Sequence, residues 1–177
     1  EHRLYYFSAT GNSLSVAKGI RDRIGECELI SIPLALSALG EDEMIEAPAI
    51  GIVAPIYMHN MPHIVARFIE RLRRADYLFM VYTGAGELGA GVGRCKRQFA
   101  RQGLTLSALF NIPMPSNYTP FGCPDRERQA KLLGAAEGKI EEIAETVRER
   151  SVHFDSSGAS FFKSYLFPGP LFQLGYR

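Results

Sequence analysis

The chain of 177 residues is 46% hydrophobic and 22% charged, and its net charge is +1. These values are ordinary for one globular domain, and the near-neutral charge gives no reason to expect nucleic acid or an anionic membrane as a partner. No apolar run reaches the roughly 18 residues of a membrane helix, and no secretory leader precedes the first strand, so we expect a cytosolic protein. Cys27, Cys95 and Cys123 are far apart, which argues against a disulfide framework and a metal site.

Strand and helix signals alternate along the chain. A strand at about 3–7 leads to a helix at 13–24, which ends at Gly25. The elements predicted after it are strand 28–32, at most a short helix within 34–46, strand 49–54, a helix after Pro62, strand 77–83, a helix at 91–102 that ends at Gly103, strand 105–112 and a helix at 125–150. This alternation requires parallel strands joined by right-handed crossovers. It predicts an α/β domain over 1–150, with a doubly wound sheet of five strands in the order 2-1-3-4-5 and helices on both faces.

The first strand runs directly into a turn rich in hydroxyl groups and glycine. Ser8, Thr10 and Ser13 offer hydroxyl donors. Gly11 lets the backbone approach a ligand, and the helix that follows presents unpaired N–H groups and the positive end of its dipole. The turn lacks the lysine of a nucleoside triphosphate loop, the cysteine of a tyrosine phosphatase and the acids of a receiver domain. A site for a terminal phosphate monoester remains, and the alternative is an ordinary capped helix.

Thr10-Gly11-Asn12-Ser13 resembles the T-G-N-[ST] turn with which the flavodoxin family holds the phosphate of FMN. The resemblance implies a flavodoxin-like fold with FMN as the cofactor. Loops after the strands 49–54 and 77–83 lie where flavodoxins enclose the isoalloxazine ring. The cofactor-binding candidates are Ser8, Ala9, Thr10, Gly11, Asn12, Ser13, Pro55, Ile56, Tyr57, Met58, His59, Asn60, Thr83, Gly84, Ala85, Gly86, Glu87 and Tyr118. For His59 the alternative is a solvated loop histidine, and for Tyr118 a residue that only packs its loop.

The segment from Gly84 to Gly89 also matches the G-x-G-x-x-G fingerprint of dinucleotide-binding domains. That fingerprint requires an acidic residue about twenty positions later to hold a ribose, and residues 107–112 contain none. We therefore interpret these glycines as places where the backbone lies close to a flavin.

The end of the chain, 151–177, forms an aromatic tail. Its aromatic residues are Phe154, Phe161, Phe162, Tyr165, Phe167, Phe172 and Tyr176. Such a segment needs a surface to cover, on this chain or on a second copy, so we expect a monomer or a homodimer formed through the tail. The domain and tail together resemble flavodoxin/ferredoxin fusion proteins known mainly from anaerobes, which implies a ferredoxin domain after the tail. No C-x-x-C-x-x-C run lies within these residues, so such a domain is either beyond this chain or lacking.

The function implied by the resemblance is that of an FMN-dependent electron carrier, which passes electrons between redox proteins such as a ferredoxin-like donor and an oxidoreductase. Such a carrier needs no catalytic residues and no metal of its own. The first alternative is an NAD(P)H-dependent FMN or quinone reductase on the same fold. The second is a scaffold that has lost the flavin, and the intact turn at 10–13 argues against it.

Basic residues decorate two of the predicted helices. They are Arg67, Arg71, Arg73 and Arg74 after Pro62, and Arg94, Lys96, Arg97 and Arg101 on the helix at 91–102. In the predicted strand order these helices are neighbours, so their basic face is expected to dock an acidic electron-transfer partner. The alternative is a solvated face with cations near helix C-termini.

Overall fold

The computed structural model describes residues 2–57, 60–84, 88, 91–116 and 123–155. The elements in chain order are β1 (His2–Tyr6), α1 (Asn12–Ile24), β2 (Cys27–Ser31), α2 (Ile32–Ala38), β3 (Ile45–Pro55), α3 (His63–Ile69), β4 (Leu72–Gly84), α4 (Gly91–Ala100), β5 (Ala108–Pro113), α5 (Arg126–Arg148) and β6 (His153–Phe154). Within these residues, no helix is long and apolar enough to cross a membrane.

All strands pair in parallel, in the order β2-β1-β3-β4-β5-β6. The predicted doubly wound α/β architecture is confirmed, but the prediction of five strands in the order 2-1-3-4-5 is wrong, because the sheet has 6 strands within the described residues. The added strand β6 pairs His153 with Ala108 and Phe154 with Leu109. A strand of 2 residues is too short to carry a periodic signal, so the sequence placed it in the tail.

Helices cover both faces of the sheet, as predicted. On one face, α2, α3 and α4 bury Ile32, Phe68 and Phe99 against the inward side chains of β3 and β4. On the other face, α1 and α5 bury Ile20 and Ile143 against the opposite side of the same strands. Each fully buried side chain of this size stabilises the fold by about 1.5–3 kcal/mol, so both layers are needed to hold the carboxyl ends of the strands in place.

The helix predicted after Pro62 is shorter than its apolar spacing suggested. It ends at Ile69, and Leu72 begins β4, where it pairs with Ile45. Arg71 therefore lies in the turn after the helix, and Arg73 and Arg74 lie at the amino end of a strand, so none of the three is on a helix. The basic face predicted on two neighbouring helices consequently loses these residues.

A network of charged side chains fixes β6 to α5. The Lys139 ammonium lies 2.8 Å from Asp155 Oδ1 and 2.9 Å from Glu142 Oε1. His153 Nε2 lies 2.9 Å from Asp155 Oδ1, and the Asn111 N–H donates to Asp155 Oδ2 at 2.7 Å. Potential ligand atoms of Glu142, His153 and Asp155 lie within 4.8 Å of one another, as in a metal site. Since the ammonium group already bonds both carboxylates, we interpret the group as an ion-pair network.

This network predicts how stability depends on pH. Burial raises the pKa of Asp155, but hydrogen bonds from Lys139, His153 and the Asn111 N–H outweigh it, so the pKa lies below its usual value. A carboxyl group of this kind stabilises the fold above its unfolded pKa of about 3.9, and that contribution disappears as the pH falls through the folded pKa. We expect Asp155→Asn to lower the free energy of unfolding at neutral pH by about 1 kcal/mol. This loss of unfolding free energy should be smaller at acidic pH. Urea unfolding of both proteins at neutral and at acidic pH measures it.

Asp42→Asn is the control for that experiment, because Asp42 is exposed in a turn. Asp42→Asn should leave the free energy of unfolding unchanged at neutral and at acidic pH. A difference between Asp155→Asn and the unmodified protein that stays the same at neutral and acidic pH would contradict the prediction.

Candidate functional site

The carboxyl ends of β1, β3, β4 and β5 meet at one edge of the sheet, and hydrogen bonds tie their loops together. The amide Nδ2 of Asn12, at the start of α1, donates to the carbonyl oxygen of Pro115 after β5 at 3.0 Å. The N–H of Ile56, after β3, donates to the carbonyl oxygen of Thr83 at 3.1 Å. The Met114 N–H donates to the carbonyl oxygen of Gly84 at 2.8 Å. The ends of these strands and the described residues that follow them therefore belong to one connected structure.

The turn between β1 and α1 is an exposed loop that leads directly into a helix. Gly11 adopts the left-handed conformation, with φ of 102° and ψ of −25°, and its N–H donates to Ser8 Oγ at 3.0 Å. Its carbonyl oxygen accepts the Ser15 N–H at 2.8 Å, which starts the helix. Ala9, Thr10 and Gly11 are exposed, so solvent or a ligand reaches the turn directly. The N–H groups of the first helical turn and the positive end of the α1 dipole lie beside it.

Ser13 occupies a different position from the rest of the turn. Its side chain is buried, and its Oγ lies 2.7 Å from Thr83 Oγ1, which is also buried. One of these hydroxyls donates to the other across 70 positions of sequence. Ser13 and Thr83 thus join the first turn to the end of β4, a role that the sequence interpretation of Ser13 as a ligand donor did not contain.

The loop after β3 places an aromatic ring and a charged contact at the same edge. Tyr57 and Asn60 exchange backbone hydrogen bonds of 2.9 Å in both directions. The ring of Tyr57 is 50% exposed, and partial burial raises the pKa of its phenol, so the hydroxyl stays protonated at neutral pH. Arg94, on α4, donates from Nη1 to Asn60 Oδ1 at 2.7 Å. A guanidinium group is therefore held beside this loop.

Cys95 follows Arg94 on α4 but is fully buried. Burial raises the pKa of its thiol to about 12, so it is protonated at neutral pH and does not act as a thiolate nucleophile.

The structure brings most of the predicted site residues together at this edge. They are Ser8, Ala9, Thr10, Gly11, Asn12, Ser13, Pro55, Ile56, Tyr57, Asn60, Thr83 and Gly84. Met58, His59, Ala85, Gly86, Glu87 and Tyr118 lie outside the described residues.

Sequence reasoning missed two contributors to the site. Arg94 was counted only as part of a basic face, whereas it contacts the β3 loop. Pro115 was not among the candidates, whereas its carbonyl oxygen accepts a hydrogen bond from the Asn12 amide. Nothing in the sequence marks a main-chain oxygen as the partner of a residue 103 positions away.

Comparison with solved structures gives the class of fold. The oxidised flavodoxin 2 of Bacillus cereus matches with a TM-score of 0.56 and 15% identity, over 85% of this chain and 99% of that one. A flavodoxin from the domain Archaea matches with a TM-score of 0.49 and 19% identity, over 83% and 98%. The azoreductase AzrA matches with a TM-score of 0.49 and 9% identity, over 81% and 99%. The fold is flavodoxin-like, and identities this low establish the fold alone.

No protein-family model matches the sequence, and none of the curated proteins does. The particular function therefore has to be argued from the residues at the carboxyl edge of the sheet.

Proposed function

We propose that this protein binds FMN at the carboxyl edge of its sheet and carries electrons between redox proteins. The main support is the exposed turn at 8–13, where Gly11 adopts the left-handed conformation immediately before the first residue of α1. A ligand at this turn would lie beside the loop after β3 and the end of β4, because Thr83 is bonded to both Ser13 and Ile56.

The residues present fit a flavin mononucleotide. A Cβ atom added to Gly11 would meet no heavy atom within 4 Å, so there is open space in front of the turn for a phosphate group. The hydroxyl of Thr10 and the N–H groups of the first helical turn are neutral donors suited to a terminal phosphate. The half-exposed ring of Tyr57 offers a face for an aromatic ring. Bound FMN would supply one- and two-electron chemistry, and the protein orients and shields it.

This proposal predicts a preference for the phosphorylated flavin. FMN should bind much more tightly than riboflavin in a titration that follows quenching of flavin fluorescence. Thr10→Ala should weaken FMN binding by about 1.5–3 kcal/mol, because a donor to a charged group is lost, and should leave riboflavin binding unchanged. Ser37→Ala, in an exposed position on α2 far from this edge, is the control. Equal affinity for the two flavins would refute the assignment of the turn.

The second candidate is an NAD(P)H-dependent FMN or quinone reductase. It is favoured by the exposed cations of α4, which begin beside the β3 loop and suit the phosphates of a nicotinamide nucleotide. Stopped-flow mixing of the FMN-loaded protein with NADPH separates the two proposals. Reduction of the flavin by NADPH at a rate typical of enzyme turnover would favour a reductase. Slow reduction by NADPH together with fast reduction by a reduced ferredoxin would favour a carrier.

A further inference from the structure

One face of α4 carries a row of exposed arginines. Arg94, Arg97 and Arg101 follow one another at intervals of three and four residues, which places them on one side of the helix and its following turn. We call these residues the α4 stripe. All three side chains are exposed, and α4 contains no acidic residue.

The charge of the α4 stripe is not balanced within the described part of the chain. No carboxylate there lies within 4.0 Å of a stripe guanidinium, although Glu70 is exposed in the turn that follows the neighbouring helix α3. On the opposite face, Arg23 on α1 differs from the stripe residues, because it lies 2.6 Å from Glu137 and 2.8 Å from Glu141 on α5. The α4 stripe is therefore a local patch of positive charge on a protein whose net charge is only +1.

Two further cations of this region, Lys96 and Arg71, have different surroundings. Lys96 lies on another side of α4, with its ammonium group 3.5 Å from the centre of the Phe154 ring, so it contributes to packing against β6. Arg71 donates to the carbonyl oxygens of Gly40 and Glu41 in the loop before β3. Neither of these two residues extends the stripe.

The α4 stripe begins at the rim of the proposed flavin site. Arg94 holds Asn60, and Asn60 exchanges two backbone hydrogen bonds with Tyr57. A protein seated on the stripe would consequently lie next to the loop that we propose covers the flavin ring. Electron transfer needs this proximity, and a charged contact of modest area gives fast association with fast release.

We propose that the α4 stripe docks an acidic electron-transfer protein of the ferredoxin type. This inference rests on the proposed function, since it places the partner beside the flavin. A row of cations with no carboxylate partner in the described part of the chain attracts a negatively charged surface, speeds the encounter and selects against basic partners. The contact should weaken with added salt, because exposed charges are screened over about 8–10 Å at physiological ionic strength.

The test measures binding of a small acidic [2Fe–2S] ferredoxin to the FMN-loaded protein by isothermal titration calorimetry, at low and at high salt. We expect binding at low salt that weakens as salt is added. Arg97→Glu/Arg101→Glu should weaken it by about tenfold or more. Arg94 is left unchanged, because it contacts the proposed site. The matched control is Lys18→Glu/Lys131→Glu, which makes the same change in net charge on exposed positions of α1 and α5 and should change the affinity by less than about twofold.

Three results would overturn the inference. They are the absence of measurable ferredoxin binding, an equal loss of affinity in both double variants, and tighter binding of basic cytochrome c than of the ferredoxin. Repeating the titration with flavin-free protein separates the two proposals, because the stripe does not depend on the cofactor. Ferredoxin binding without any FMN binding would count against the proposed function alone, and FMN binding without salt-sensitive ferredoxin binding would count against the stripe alone.

Discussion

Gly51→Ala is expected to lower the free energy of unfolding by about 3 kcal/mol, near the upper end of the usual cost of overpacking a core. Gly51 is fully buried in the middle of β3. A Cβ atom at this position would lie 2.2 Å from Phe79 Cζ and 2.5 Å from Leu4 Cδ1. Both neighbours are buried in the layer below α1 and α5, so neither side chain has space into which to move. The substitution must therefore push strands or helices apart.

Urea unfolding followed by circular dichroism measures this loss. The control is Gly134→Ala, because Gly134 lies within α5 and a Cβ atom there would meet nothing within 4 Å. Alanine suits a helix better than glycine, so the control should gain up to about 1 kcal/mol of stability. If both variants gained stability, the close approach of β3 to Phe79 would not exist in solution.

The order of the elements and their cap positions could be predicted from the sequence. The helix α1 runs over Asn12–Ile24, within one residue of the predicted start, because its apolar spacing and its bounding glycines carry the signal. Gly25 and Gly103 both adopt positive φ, of 72° and 70°, as expected where a helix gives way to the next strand.

The boundary between α3 and β4 could not be predicted in the same way. Ile69 and Leu72 are both apolar, and their spacing of three fits a helix. The chain leaves the helix before Leu72 because that residue completes the parallel ladder opposite Ile45, where its side chain is buried. Strand pairing at a distance of 27 positions thus overrides the local pattern. The same reason explains why β6 was missed, since only its pairing with β5 defines it.

For the candidate site, the sequence indicated the loops but not how they are joined. The turn at 8–13 stood out because its residue types are unusual after a strand. Asn12 contacts Pro115 and Arg94 contacts Asn60, and the partners in each pair are far apart in sequence. The order of the strands in the sheet brings the partners within hydrogen-bond distance. A residue type alone does not distinguish a hydroxyl that faces a ligand from one that joins two loops.

The hydroxyl pair of Ser13 and Thr83 is the clearest test of this joining role. Each side chain is 2% exposed, and their oxygens are 2.7 Å apart. Removing one hydroxyl leaves the other buried without this partner, so Ser13→Ala and Thr83→Val should each lower the free energy of unfolding by about 1–3 kcal/mol. The double variant removes both polar groups from a buried place, and its loss should be smaller than the sum of the two single losses by about 1 kcal/mol or more.

The measurement is a double-mutant cycle by urea unfolding, combined with an FMN titration of every variant. The matched control is a second cycle with Ser37→Ala and Thr146→Val, an exposed and a partly buried residue whose hydroxyls bond the backbone of their own helices. Those losses should be small and additive. Additive losses in the Ser13 and Thr83 cycle would show that the two hydroxyls do not interact in solution. If Ser13→Ala weakened FMN binding as strongly as Thr10→Ala while leaving stability unchanged, Ser13 would face the ligand and not Thr83.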